Sequence, residues 1–176
     1  MEHRDHLCVV GQYSVKEWVT EFEGKMHYYT RYCDIEHTMQ ILIDEFNRRL
    51  DEIHRKRLRG VDGQQLLISL IQLTSWFVFK FLEIHPFGDG NGRMVRLLYT
   101  YVMEAYDFPF PVPLFWYGQK EIQEKDGHKE YTAWCRLLWD MRLSLDFTDL
   151  EHNMIQCLQE CTKEYETYSF CHSLWK

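Results

Sequence analysis

The chain of 176 residues has six cysteines, at 8, 33, 135, 157, 161 and 171, and none of them forms a CxxC pair. That absence removes the usual zinc-ribbon and thioredoxin-like readings. Cys157 and Cys161 stand i,i+4, on one face of a helix, where oxidised pairing is disfavoured. Reduced thiols are expected, which fits a cytosolic or nuclear setting, and the expected location is cytoplasmic. The alternative use of these thiols is a zinc site with His152 or His172. Positive charge is also short. The formal net charge is −7, which argues against a general nucleic-acid binder. The first ten residues, MEHRDHLCVV, hold no apolar core of a signal peptide. The apolar run Leu66 to Ile84 is interrupted by Ser69, Gln72, Thr74, Ser75, Lys80 and Glu83, so it reads as a buried central helix and not as a membrane span. No GxxxxGK[ST] is present, which excludes a P-loop, and no βαβ unit surrounds the glycines, which excludes a dinucleotide fold. Internal repeats, low-complexity tracts and linkers are missing too. One domain over 1–176 is expected.

What is present is mostly helix. Residues 13–29, YSVKEWVTEFEGKMHYY, are rich in β-formers and carry a turn at Glu23-Gly24-Lys25, so they predict a short β-hairpin. Asp34 stands as an N-cap before Ile35, Met39, Leu42, Ile43, Phe46, Leu50 and Ile53 at helical spacing. That helix closes in HRKRLRG, where cations suit the negative helix end and Gly60 suits a left-handed cap. Asp62 and Gln65 form a capping-box pattern for the next helix. This helix is apolar almost all round to Ile84, with Trp76, Phe77, Phe79 and Phe81 as core. A further helix runs from Asn91 to about Tyr106, with Val95, Leu98, Val102 and Ala105 facing inward. Pro109, Pro111 and Pro113 then impose an extended connector. A helix is expected near 128–141. A last one follows a Thr148/Glu151 capping pattern over about 149–172, with Leu150, Met154, Leu158, Cys161, Tyr165 and Tyr168 as its stripe. The fold class is therefore all-α, a helical bundle with one hairpin.

The chemistry gathers in EIHPFGDGNGRMVR, residues 83–96. Pro86 removes an N–H and pushes His85 out of helical geometry, so the imidazole is presented at the end of a rigid helix. Phe87 is expected to anchor the loop in the core. Gly88, Gly90 and Gly92 allow positive φ and close approach of backbone N–H groups to a ligand. The following helix begins here, and its positive end favours an anion. Arg93 and Arg96 lie one turn apart on one face. The set suits a nucleotide phosphate chain, with Asp89 as an oxygen ligand for magnesium and Asn91 as an amide donor to a phosphate. His85 could then take a proton from a hydroxyl attacking phosphorus in line.

HPFGDGNGR followed by MVR resembles the signature of the Fic family, HxFx(D/E)GNGRxxR, with every defined position filled. The resemblance extends over roughly residues 2 to 170, through the hairpin, the EIHPF helix end, the tyrosine-bearing HKEYTAW and a terminal helix like that of the metazoan Fic AMP transferases. It implies a compact Fic-type helical bundle with a hairpin flap. It also implies transfer of AMP from ATP to a protein hydroxyl with Mg²⁺. By motif position His85 would be the general base and Asp89 the magnesium ligand. Gly90, Asn91 and Gly92 would form the anion pocket, and Arg93 and Arg96 would bind the distal phosphates. Tyr131 would line the adenine pocket. The implied partner is a target protein offering a Ser, Thr or Tyr hydroxyl, held at the hairpin by strand addition, with a homodimer as a second association and no nucleic acid or membrane.

Two departures from the family pattern bear on target choice and flap placement. QYSV carries Ser14 where an arginine is frequent, and HYYTRY replaces a proline-rich segment. No intact inhibitory (S/T)xxxE(G/A)N helix is found; Thr162 and Glu166 in TKEYETY have its spacing but not its end. The chain as it stands is expected to lack self-inhibition. Alternatives on the same residues are removal of AMP, transfer of another phosphate-linked group, or a non-catalytic nucleotide- or protein-binding module. Gly92, where phosphate-transferring relatives carry lysine, speaks against terminal-phosphate transfer.

Overall fold

The computed structural model describes residues 12–106, 114 and 137–173, with the side chains of Phe22 and 167–173 outside that description. The connector prolines 109, 111 and 113, Tyr131, Cys8, Cys135, the side chains of Tyr168, Cys171 and His172, and the start of the helix expected at 128 all lie outside the described residues. The chain divides into two compact units, 1–95 and 96–176.

In the first unit, β1 (Val19–Phe22) and β2 (Lys25–Tyr28) pair antiparallel with Val19 opposite Tyr28 and Phe22 opposite Lys25. Only Glu23 and Gly24 separate the strands, at φ 50° and 75°. Two successive positive φ angles make the tight hairpin turn whose twist matches the strands. The hairpin is shorter than residues 13–29 suggest. Ser14 explains the difference: its hydroxyl accepts the Lys16 N–H at 3.3 Å and donates to the Lys16 carbonyl at 3.1 Å, which bends the chain before β1.

A short 3₁₀ turn, Tyr32–Asp34, leads into α1 (Ile35–Leu58). Asp34 sits at the N-cap position with helical dihedrals and no side-chain cap bond. Its carboxylate instead takes Arg31, with Nε at 2.9 Å and Nη2 at 2.7 Å. Ile35, Met39, Leu42 and Ile53 are buried, whereas Ile43 is 38% exposed, contrary to its expected place in the stripe. The end of α1 matches expectation. Gly60 is left-handed, its N–H donates to the Arg57 carbonyl at 3.0 Å, and the Val61 N–H reaches back to Lys56 at 3.2 Å. These are the two bonds of a Schellman motif, and they satisfy carbonyls that the helix end leaves open.

α2 (Gly63–Ile84) begins where Asp62 Oδ2 accepts the N–H of Gln64 at 2.9 Å and of Gln65 at 3.3 Å. Asp62→Ala is expected to lower stability by about 1 kcal/mol, measured by denaturant unfolding. From Leu70 onward α2 is buried on nearly every side, including Val78, Phe79 and Phe81. It packs on α1 through Phe46 and Phe77, ring centroids 4.6 Å apart, and through Arg49 over the Trp76 ring at 4.2 Å. Arg49 also reaches Glu45 at 2.6 Å, and the hydrogen bonds from Arg48 first and then Arg49 lower the Glu45 carboxyl to about 2. Among the described residues α2 is the one helix long and apolar enough to cross a membrane, but 61% of its most apolar window is buried inside the protein. That is the signature of a core helix.

α3 (Asn91–Ala105) follows the loop and runs across the division between the units. Its inward face is Val95, Tyr99, Val102 and Met103. Ala105, expected inside, is exposed. In the second unit residues 137–144 are helical (α4), and α5 is Thr148–Ser173. Leu138, Met141, Leu150, Met154, Cys157, Leu158 and Cys161 are buried, while Tyr165 is 44% exposed. The expected Thr148 cap is reversed: Thr148 is the first helical residue, and both its N–H (2.9 Å) and its hydroxyl (2.6 Å) donate to Asp146 Oδ1. Those bonds hold the Asp146 carboxyl below its ordinary value. Cys157 and Cys161 are free thiols. Burial raises the Cys161 thiol, with Cys157 adding to it, so the neutral form is favoured. No group of His, Cys, Asp and Glu able to hold a metal occurs among the described residues.

Candidate active site

The site grows from the way α2 ends. His85 is its C-cap residue, at φ 52° and ψ 56°, with its N–H still donating to the Phe81 carbonyl at 3.0 Å. Pro86 lacks the N–H that would continue the helix, and its ring disfavours the right-handed helical region for the residue before it. The left-handed conformation is costly for a residue with a side chain, by about 1–2 kcal/mol, and such residues cluster where function holds them. His85→Gly is therefore expected to be more stable than His85→Ala by about 1 kcal/mol, since both lose the ring and only glycine relieves the backbone. Equal unfolding midpoints for the two variants would show that the backbone carries no strain.

Phe87 anchors the loop as expected. Its ring lies 6.2 Å from Phe81 on α2 and 6.0 Å from Tyr13. Asn91 then closes the loop on itself: its Oδ1 accepts the Phe87 N–H at 2.9 Å and its Nδ2 donates to the Phe87 carbonyl at 2.7 Å. Asn91 is 3% exposed, so the side chain read as a phosphate donor acts here as a two-pronged staple. Of the three loop glycines, only Gly90 is left-handed among the described residues, at φ 84°. A Cβ there would meet the Arg93 guanidinium at 3.4 Å. Gly92 lies within the first turn of α3 and needs no unusual backbone.

Asp89 spans the tip. Its Oδ1 accepts the Gly90 N–H at 2.7 Å, and its Oδ2 pairs with Arg93 Nη2 at 2.9 Å. The two side chains are 68% and 69% exposed. An ion pair so open to water is worth about 0–1 kcal/mol, so either member can exchange partners at little cost. Arg96 is exposed one turn further along α3. His85, Asp89, Gly90, Asn91 and Arg93 thus share one short loop and helix start, with Arg96 on the same helix. Tyr131 lies outside the described residues.

The sequence reading missed what lies over His85. Ser14 is 8% exposed. Its N–H donates to the Pro86 carbonyl at 2.7 Å, and its hydroxyl accepts the Trp18 indole N–H at 2.6 Å. Trp18 and Tyr29 place their rings 6.1 Å and 4.2 Å from the imidazole. His27 Nε2 lies 3.6 Å from Glu83 Oε1, on the last turn of α2. One signal pointed here: Ser14 stands where arginine is frequent, and a small hydroxyl can turn its own backbone.

A Fic/DOC family model matches residues 2–103. A Fido domain-containing protein of Dictyostelium discoideum is 52% identical over 42 residues, 24% of this chain and 29% of that protein. The ribonucleoside-diphosphate reductase small chain of an ostreid herpesvirus is 32% identical over 75 residues, 43% of this chain and 12% of its own length. Protein adenylyltransferase fic-1 of Caenorhabditis elegans is 31% identical over 77 residues, 41% of this chain and 15% of its own length. The matches thus span less than a third of each of these relatives. A Fic domain containing signaling protein from Bacteroides thetaiotaomicron superposes with a TM-score of 0.55 over 90% of this chain and 52% of that one. At 17% identity that likeness bears on the fold.

Proposed function

Since the chain belongs to the Fic/DOC family, we propose that it transfers AMP from ATP to a hydroxyl of a target protein, with Mg²⁺. The observation that supports this most is the placement of His85. A strained helix end holds the imidazole beside a loop whose tip carries Asp89 and Arg93. A binding module has no need of a base kept at such a cost.

In the proposed reaction the imidazole of His85 accepts the proton of the target hydroxyl as its oxygen attacks the α-phosphorus. The new P–O bond forms, the bond to the β-phosphate bridge breaks, and pyrophosphate leaves. Arg93 and Arg96 bind the distal phosphates and stabilise the charge that accumulates there. The backbone at Gly90 and Gly92 cradles the phosphates at the start of α3, and Asn91 keeps that cradle in shape. Tyr131 is assigned to the adenine pocket. One exposed carboxylate, Asp89, is a fitting ligand for a magnesium ion that arrives with a triphosphate, since Mg²⁺ keeps waters and takes one or two carboxylates plus phosphate oxygens. The ion would supply neutralisation of the phosphate charge, and Arg93 would leave Asp89 for the nucleotide.

The target is proposed to lie along the hairpin. Among the described residues β1 and β2 pair only with each other, so their outer edges suit an added strand. The test is incubation of the chain with Mg²⁺, a lysate and ATP labelled at the α- or the γ-phosphate. Label from the α-position is expected on protein. Label from the γ-position alone would mean phosphate transfer, and no label from either would defeat the transferase reading.

A further inference from the structure

We propose that Tyr29 is a positioning residue for His85: its ring, carried by the hairpin, holds the imidazole in its working orientation, so hairpin position and base geometry are coupled. The inference rests on the reading of His85 as the base.

The problem it answers is local. A general base works only in a set orientation, and misplacement by about 1 Å can cost around a hundredfold in rate. Ring contacts that orient the imidazole come from across the chain. The Tyr29 ring lies 4.2 Å from the His85 ring, tilted by 32°. Trp18 approaches at 6.1 Å and 50°.

These two aromatics are not independent. The Tyr29 N–H donates to the Trp18 carbonyl at 3.1 Å, which extends the hairpin pairing one step beyond Val19 and Tyr28. Tyr29 is fixed at its far end as well, its hydroxyl hydrogen-bonded to the Thr20 hydroxyl at 2.8 Å. His27 meets the Tyr29 ring edge-on at 4.7 Å and 87°, while its Nε2 sits 3.6 Å from Glu83 Oε1. His27 and Tyr29 are two apart and share a face of the strand. The residue between, Tyr28, is 70% exposed. One face of the hairpin therefore lies against the end of α2, and the other is left to solvent. Ser14 completes the brace by joining Pro86 to Trp18. A segment that docks along the hairpin would shift Tyr29 and with it the imidazole.

The test uses the full chain labelled with ¹³C and ¹⁵N histidine. In the wild type, the His85 ring protons should show nuclear Overhauser contacts to the Tyr29 ring and an upfield ring-current shift. Tyr29→Ala should abolish those contacts, cut the shift back to what Trp18 contributes, and lower kcat by about tenfold to a hundredfold, with KM for ATP changed by less than about twofold. Tyr29→Phe keeps the ring and should restore the shift and most of the rate. Tyr29→Leu serves if the alanine variant does not fold. The inference is overturned if the wild-type contacts are absent, if the imidazole shift is unchanged by ring removal, or if phenylalanine is as damaging as alanine. Should the wild type transfer no label at all, the proposed function fails, while the resonances of His85 still decide whether Tyr29 holds the ring.

Discussion

His85→Ala is expected to abolish labelling of protein by α-labelled ATP while ATP binding, measured by calorimetry, changes little. The proposed role of the imidazole begins when the target hydroxyl attacks, so its loss falls on kcat. Removing a positioned general base lowers rates by about 10²–10⁴. The groups proposed to bind phosphate lie beyond the proline, on the loop and α3, and the loop has its own anchors in Phe87 and Asn91. They should stay where they are. An alanine variant with undiminished transfer would remove the base from the mechanism. An alanine variant that no longer bound ATP would place His85 in the nucleotide pocket instead.

Asn91→Ala should be damaging in a different way, through stability and activity together. The side chain accepts one bond from Phe87 and donates one back, at 2.9 and 2.7 Å, and is 3% exposed. Alanine leaves a backbone N–H and a carbonyl of the loop without those partners, at roughly 1–3 kcal/mol for each group that water cannot reach. A fall in Tm of roughly 10 °C follows for a chain of this size. The loop between His85 and Arg93 would also lose its fixed shape, and a loss of about a hundredfold in kcat/KM is expected. The stability of Asn91→Asp should fall at least as far: the carboxylate still accepts the Phe87 N–H, but its other oxygen would face the Phe87 carbonyl and its charge would be buried. Unchanged melting of Asn91→Ala would show that the staple carries no weight.

Much of the scaffold was readable because its signals act over five residues or fewer. Asp62 caps α2 through N–H groups two and three positions on. Gly60 and Val61 close α1 through carbonyls three and five positions back, respectively. Pro86 forces its neighbour off the helix by direct steric contact. The misreadings also have local causes. Asp34 and Thr148 look like caps, but each had a competing partner close by, Arg31 and Asp146, and composition does not say which bond wins. For Asn91 the fold adds a second task that composition does not show: the buried amide holds the Phe87 N–H and carbonyl.

The order HPFGDGNGR–MVR determined by itself which atoms gather at the tip of the loop, because a proline, a left-handed glycine and a helix start leave the chain between them little choice. It could not determine what faces His85. Ser14, Trp18, His27 and Tyr29 lie far upstream, and their spacing suits any short hairpin. Only the folded chain brings them to Pro86, Glu83 and the imidazole, because α2 stops at Pro86 and the Pro86 carbonyl takes the Ser14 N–H from across the chain.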